Sequence, residues 1–263
     1  MSLTLLAPLM LASTPAVVAE AEPQMPRAAA ILADTRRVAD WQLANRTNWA
    51  TMPAARKSVQ NPRDWQQATF WVALTELAKR DKAYAKPLLD LGREQGWKLG
   101  DKPFHADDQL IAQAWIWASK NGGGKAAIAP ARAYFDHVLA NRPTIGLEFV
   151  PHAPGKGTSD CTDRWCWCDA IFMAPPTLLQ MSKATGDKRY ADFAHAEFKA
   201  TTDYLYDPGE KLYFRDSRFF DMRDAKGRKL FWSRGNGWVM GGLVRMLQTM
   251  DRKDPKRAYY EGL

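Results

Sequence analysis

The sequence predicts an all-α fold built from helices in near-alternating pairs. Three features carry that expectation. Apolar residues recur at three- and four-residue spacing along most of the 263 residues, the period of one helical face. Short Gly-, Pro- or Asn-containing turns interrupt the pattern about every 40–50 residues, one helix pair at a time. Hardly any stretch alternates strictly enough to be a half-buried strand. With 46% apolar residues the chain has ample material for a core and does not have a disordered composition.

The first element is an address. Leu3 to Leu11 is apolar apart from Thr4 and Pro8, and Ala16-Val17-Val18-Ala19 precedes Glu20-Ala21-Glu22-Pro23. Small residues at the last and third-last positions before a polar stretch mark a signal-peptidase site, here after Ala19 or Ala21. Residues 1–21 are therefore expected to be a signal peptide, although its start lacks Lys or Arg. The mature protein is expected to be periplasmic or secreted. No apolar run reaches the ~18 residues of a membrane span.

Helical elements follow in order. Residues 27–45 are Ala- and Arg-rich and read as the first helix. Asn61-Pro62-Arg63-Asp64 opens a second, with Asp64 near its N-cap and Trp65, Ala68, Thr69, Val72 and Leu77 on one face. Residues 81–95 make a third, ending near Gly96. Residues 107–120 make a fourth, stopped by Asn121-Gly122-Gly123-Gly124, and 125–140 a fifth, stopped before Pro143. A loop with three Pro and three Gly spans 141–164. Helices resume over 165–183, kinked or restarted at Pro175-Pro176, and over 188–206. Residues 214–231 read as turns with extended pieces, and a last helix covers 236–250. Such pairs stack either as an open solenoid or as a toroid closed around a cleft; tetratricopeptide, ankyrin and HEAT patterns are not visible.

Cys161, Cys166 and Cys168 are crowded together, and an oxidising compartment permits one disulfide with one thiol left over. Their spacing lacks the usual paired-cysteine metal pattern and no nearby His completes a site. A cysteine nucleophile lacks a local activator. These cysteines read as structural, and no metal or cofactor is expected.

Three constellations carry chemistry. The first is His105-Ala106-Asp107-Asp108-Gln109. Asp at a helix start is favoured by capping and by the dipole, so a plain N-cap is the bland account of Asp107. Asp108 shares a face with Ala112, Trp115 and Ser119, where an acid is costly to bury without a partner or a task. The second is Trp165-Cys166-Trp167-Cys168-Asp169, followed by an apolar run. Apolar surroundings raise an Asp pKa, as a general acid requires, and flat indoles suit sugar rings. The third is Trp232-Ser233-Arg234-Gly235-Asn236-Gly237-Trp238. Gly-Asn-Gly permits a tight turn of positive φ just before a helix. Arg234 there offers a guanidinium for a carboxylate, and Trp238 a ring for stacking.

Taken together, HADDQ, then WxD with its FMAPP run, then WxRGNGW resemble glycoside hydrolase family 105, the unsaturated rhamnogalacturonyl hydrolases, related to the family 88 unsaturated glucuronyl hydrolases. The resemblance covers about residues 30–250, and WxRGNGW is its most specific part. It implies that residues 27–263 form an (α/α)6 six-hairpin toroid. The helices found before Leu263 are too few for six hairpins, so the ring is expected to be incomplete at its C-terminal end. The resemblance further implies that Asp169 is the catalytic acid, with Trp167 beside it. Arg234 and Trp238 would contact the unsaturated uronate. The second active-site Asp would be Asp107 or Asp108, with Asp108 taken as catalytic and Asp107 as substrate-binding. His152 is the nearest match to a family pocket His.

The reaction this implies is hydration of the 4,5-unsaturated uronic acid that lyases leave at a non-reducing end, on pectin- or rhamnogalacturonan-type oligosaccharides. Two alternatives stand beside it: a conventional inverting glycosidase using Asp169 with Asp107 or Asp108, and a noncatalytic carbohydrate-binding protein. The net charge of +8, from 37 Lys and Arg against 29 Asp and Glu, suits an anionic oligosaccharide. Nucleic acid is not expected, because basic blocks, helix-turn-helix cues and zinc patterns are all missing.

Overall fold

The structure is a computed structural model that describes residues 27–47, 60–151 and 161–263. The expected signal peptide and His152 lie outside the described residues.

Helices appear in the order α1 (Ala28–Ala44), α2 (Trp65–Ala78), α3 (Ala85–Glu94), α4 (Ala106–Gln109), α5 (Ala112–Ala118) and α6 (Gly124–Ala140). After the long loop come α7 (Ala170–Met173), α8 (Pro175–Thr185) and α9 (Lys188–Leu205). A hairpin of β1 (Tyr206–Asp207) and β2 (Leu212–Tyr213) then precedes α10 (Ser233–Thr249) and α11 (Arg257–Glu261).

The helices lie in two layers. α2, α5, α8 and α10 pack successively against one another, while α1, α3, α6 and α9 each back onto an inner neighbour. Composition explains which helix goes where. α2 buries Gln67, Ala68, Trp71, Val72, Leu74, Thr75, Leu77 and Ala78, nearly its whole circumference. α3 buries only Leu88, Leu91 and Gly92, one stripe of an otherwise charged helix. Trp71, Trp115, Phe135, Tyr190 and Phe198 are fully buried between the layers, each contributing roughly 2–3 kcal/mol of transfer free energy.

Several boundaries differ from the sequence expectation. The helix expected over 165–183 is instead an irregular stretch to Asp169, the single turn α7, and α8 restarting at Pro175. Proline at a first helical position loses no hydrogen bond, which is why the restart falls there. The helix expected over 107–120 is interrupted at Leu110-Ile111 between α4 and α5. The Gly run does end α5's turn, with Gly122 and Gly124 at positive φ. The hairpin pairs Tyr206 with Tyr213 and Asp207 with Leu212, too short a ladder to show as alternation. Its turn is held by the Asp207 carboxylate, which accepts from the Gly209 and Glu210 N–H groups at 3.0 and 3.1 Å.

The largest correction concerns Gly-Asn-Gly. α10 begins at Ser233, so all three residues lie inside the helix, and neither glycine has positive φ. The glycines serve close approach instead. A Cβ at Gly235 would strike Cys168 Sγ and the Trp232 ring, and one at Gly242 would strike the Ile171 and Phe172 backbone. α10 therefore lies backbone against backbone on α7. Asn236 clasps the hairpin: its Oδ1 accepts from Tyr213 N–H at 2.8 Å and its Nδ2 donates to Tyr213 O at 3.0 Å.

Cys161 and Cys166 form a disulfide, and Cys168 is a buried free thiol. No helix among the described residues is long and apolar enough to cross a membrane.

Candidate active site

Among the described residues, α2, α4 and α7 start at carboxylates that lie close together. Asp64 occupies the N-cap of α2, Asp107 and Asp108 lie in the first turn of α4, and Asp169 occupies the N-cap of α7. None of these side chains caps its helix by a hydrogen bond. Capping therefore does not account for them.

Burial shows what does. Asp64 Oδ1, His105 Nε2, Trp167 Nε1 and Asp169 Oδ1 are buried polar atoms without a hydrogen-bond partner in the protein. Native structures rarely leave such atoms unmet. Here they share one region: His105 stands edge-on to Trp167 at 6.0 Å, and the carboxyls of Asp64, Asp107, Asp108 and Asp169 act on one another electrostatically. Hydroxyl groups of a sugar would satisfy all four atoms.

The acids are tuned apart. Burial pushes Asp107 up to about 7; His105 pulls it back, and the charges of Asp169, Asp64 and Asp108 add to the rise. Burial likewise raises Asp169, against its own backbone N–H and the charges of Arg215, His105 and Arg234. Asp64 is raised for the same first reason. Asp108 goes the other way. Burial works to raise it, but its hydrogen bond to His105 Nδ1 at 2.6 Å and the imidazolium charge hold it below the usual carboxylate range. His105 is raised in turn: burial opposes its charge, and the Asp108 hydrogen bond with the Asp107 and Asp108 charges outweighs it. Asp108 also accepts from Lys102 N–H at 3.3 Å, and it fits only because Gly100 has no Cβ.

Aromatic and guanidinium groups form a second wall that meets the acids at Trp167. Trp167 stacks with Phe149 at 6.5 Å and 26°. Arg234 lies over the Trp232 ring at 4.7 Å, and Arg215 lies over the same ring at 5.4 Å and over Trp167 at 6.0 Å. The Cys168 N–H donates to Arg215 O at 3.0 Å, tying the β2–α10 connection to the residue before Asp169. Trp238, one turn along α10 from Arg234, is half-buried between Phe172 at 4.8 Å and Trp65 at 6.5 Å.

Of the residues singled out by sequence, Asp107, Asp108, Trp167, Asp169 and Arg234 come together, and Trp238 flanks them against Trp65. His152 lies outside the described residues. The structure adds Asp64, His105, Arg215 and Trp232. His105 stands within the HADDQ segment and Trp232 within WxRGNGW, so both had a local signal. Asp64 looked like an ordinary N-cap, and Arg215 had no signal beyond its Arg-Asp-Ser-Arg context. Among the described residues no group of three or more His, Cys, Asp or Glu side chains is disposed to hold a metal ion.

The sequence profile of glycosyl hydrolase family 88 matches residues 35–263. The chain belongs to that family. Among curated proteins it is similar to the unsaturated 3S-rhamnoglycuronyl hydrolase of Alteromonas sp. (strain LOR), 34% identical over 230 residues, which is 84% of this chain and 56% of the relative. The protein of the same name from Formosa agariphila is 32% identical over 212 residues, 77% of this chain and 55% of the relative. The chain thus spans about half the length of the curated relatives it matches. Among solved structures it is similar to a glycosyl hydrolase family 88 protein from Bacteroides vulgatus, with a TM-score of 0.61, 20% identity, and coverage of 84% of this chain and 63% of that one. A possible family 105 member from Klebsiella pneumoniae gives 0.63 at 14% identity, covering 97% of this chain and 68% of that one. At these identities the likeness concerns the fold, and it decides between solenoid and toroid. The two helical layers are laid out as in the (α/α)6 toroid.

Proposed function

We propose that this family 88 chain removes a 4,5-unsaturated uronic acid from the non-reducing end of lyase-generated oligosaccharides by hydrating the vinyl ether. The observation that carries this reading is Asp169: one buried carboxyl, held toward its protonated form, with an unmet oxygen between an indole and two guanidiniums. Hydration of an enol ether needs one such proton donor rather than a pair of glycosidic carboxylates.

In this reading protonated Asp169 delivers its proton to C4, and the C4=C5 electrons form the new C–H bond. Positive charge develops at C5 and the ring oxygen. The Asp169 carboxylate then accepts a proton from water as that water adds to C5. The hemiketal opens with cleavage of the C5–O5 bond, leaving a ketone at C5. The hemiacetal thereby created at C1 collapses to an aldehyde and releases the remaining sugar as an alcohol.

Asp107, rather than Asp108, is the better second acid, because Asp108 is committed to His105 and the Lys102 N–H. Asp107 and His105 Nε2 would receive sugar hydroxyls, Arg234 would hold the uronate carboxylate, and Trp167 and Trp238 would wall the ring. The curated relatives' names favour a rhamnose-linked glycuronyl substrate, a narrower class than pectin fragments in general. Export from the cytoplasm belongs to the same proposal and is supported by the Cys161–Cys166 disulfide.

The test is incubation of the purified chain with an unsaturated uronyl-rhamnose disaccharide, following loss of the near-ultraviolet absorbance of the conjugated double bond. Turnover by the wild type, with a loss of about 10³-fold or more in Asp169→Asn, is the expected outcome. Cleavage that leaves the double bond intact would indicate an inverting glycosidase, and binding without turnover a noncatalytic sugar-binding protein.

A further inference from the structure

We propose that Gln113, oriented by Arg245, is a positioning residue that seats α7 and so sets where the Asp169 carboxyl stands. This deepens the hydrolase reading and rests on it.

α7 is one turn long, with Asp169 at its N-cap. So short a helix does not hold itself in place. Its far end is also short of donors. In a continuous helix the Ile171 and Phe172 carbonyls would accept from the N–H groups of residues 175 and 176, but both of those are proline. Buried carbonyls seek a replacement partner. Ile171 O lies against Gly242 of α10, a contact that limits how near α7 comes without keeping it there. Met173 O accepts from the Thr177 hydroxyl at 2.8 Å. Phe172 O accepts from Gln113 Nε2 at 3.3 Å, and the same nitrogen lies 3.4 Å from Met173 O. Gln113 thus supplies what the prolines lack.

It can do so in one orientation only. Gln113 is buried on α5, 1% exposed, and its carboxamide has one accepting end and one donating end. The accepting end is claimed by Arg245 of α10, whose Nε donates to Oε1 at 2.6 Å. A guanidinium has no acceptor, so the amide stays unreversed while Arg245 is present, and Nε2 is turned to α7. Arg245 is anchored in its turn. Its side chain is largely buried, and Glu76 of α2 lies 3.4 Å from Nη1. Gln180 of α8 approaches Gln113 Oε1 at 3.5 Å. The four inner helices therefore meet at the C-terminal end of α7, roughly 5 Å along the axis from the end that carries Asp169. Gln113 and Arg245 act through α7 and not on the sugar. A slipped α7 moves the proton donor away from C4, while Arg234 on α10 keeps its hold on the carboxylate. The chemical step suffers and binding does not.

The experiment measures kcat and KM for loss of the double-bond absorbance of an unsaturated uronyl-rhamnose disaccharide. Wild type is compared with Gln113→Glu, Gln113→Met, Arg245→Met, and Gln113→Met combined with Arg245→Met. Gln113→Glu keeps an acceptor for Arg245 and puts an oxygen where the donor was; Gln113→Met removes both. Each is expected to lower kcat about ten- to a hundredfold, with KM within about twofold of wild type. Arg245→Met should cost less, since the amide is freed to reverse and not lost, and it should add nothing to Gln113→Met. Wild-type kcat in Gln113→Glu overturns the assignment, because Gln113 would then serve only as a partner for Arg245. A rise in KM alone overturns it too. Circular dichroism at the assay temperature shows which variants are folded, and Gln113→Glu, nearly the same shape as the native residue, decides if the methionine variants are not. If the wild type turns over no unsaturated disaccharide, the hydrolase reading fails, and the seating of α7 is read from amide hydrogen exchange over residues 168–174. Exchange about tenfold faster in Gln113→Glu, with α9 unchanged, supports it, and equal exchange overturns it.

Discussion

The two walls of the site are built on different physics. The wall from α2 and α4 is acidic and coupled: Asp64, His105, Asp107 and Asp108 shift one another's protonation, up for Asp64, His105 and Asp107 and down for Asp108. The wall from the β2–α10 connection and α10 is cationic and aromatic, with Arg215 and Arg234 over Trp232. Asp169 stands on the seam between them. The difference teaches a division of labour. The acidic wall sets its own acids apart in protonation, while the cationic wall both holds what is bound and, with His105, draws the seam carboxyl back toward its charged form.

That division is open to being broken. The largest effect after loss of Asp169 is expected from Arg234→Met, which should raise KM by about a hundredfold through loss of a bidentate charge-assisted pair. Because the Arg234 charge helps hold Asp169 down, the limb of the pH–rate profile set by Asp169 should move to higher pH in this variant; an unmoved profile would show that the guanidinium acts on the substrate alone.

Asp107→Asn should do the reverse of what active-site substitutions usually do to stability. The folded pKa of about 7 lies above the ordinary aspartate value of 3.8. The folded state therefore binds the extra proton between those values, and stability falls as pH rises through that window. Removing the ionisable group should stabilise the protein on the order of 2–4 kcal/mol at pH 8, with the gain fading towards pH 4. Urea unfolding at both pH values measures it, and a pH-independent difference would remove Asp107 from the buried wall.

Asp108→Asn takes away the hydrogen bond and charge that raise His105. A loss of activity of roughly ten- to a hundredfold is expected, as for other positioning residues. The imidazole should titrate at lower pH by NMR, and an unmoved His105 would sever the link. The smallest effect expected is on salt: KM should rise several-fold between low and physiological ionic strength as the two exposed guanidiniums are screened. Arg215→Met should flatten that dependence.

The same two walls were unequally legible in the sequence. HADDQ and WxD placed Asp107, Asp108 and Asp169 because each acid sits at a helix start within a few residues of the aromatics it works with. The choice between Asp107 and Asp108 needed Gly100 and Lys102, which belong to the preceding loop and dictate which carboxylate turns inward. Asp64 has the same local pattern as an ordinary N-cap, so nothing in sequence separates it from a structural residue. Arg215 reaches the site through a backbone bond to Cys168 across 47 positions (215 − 168), a pairing that no periodicity announces. The helices were legible but their layering was not: one apolar face was read for α2, which buries nearly its whole circumference against its neighbours. The start of α10 was misread because glycine signals both a turn and a close contact, and only packing tells which.

That contact has a bearing on how the protein can change. With Gly242 against the Ile171 and Phe172 backbone and Gly235 against Cys168 Sγ, the interval between Asp169 and Arg234 is set largely where α10 meets the main chain of α7. Side-chain substitution away from that contact and from the Gln113 seat leaves it alone, so it acts as a fixed gauge for one sugar ring with one carboxylate. The 214–232 connection, which lies between β2 and α10, carries Arg215 and Trp232. New oligosaccharides are therefore most readily accommodated by exchanging that segment, with the proton donor and its carboxylate clamp inherited unchanged.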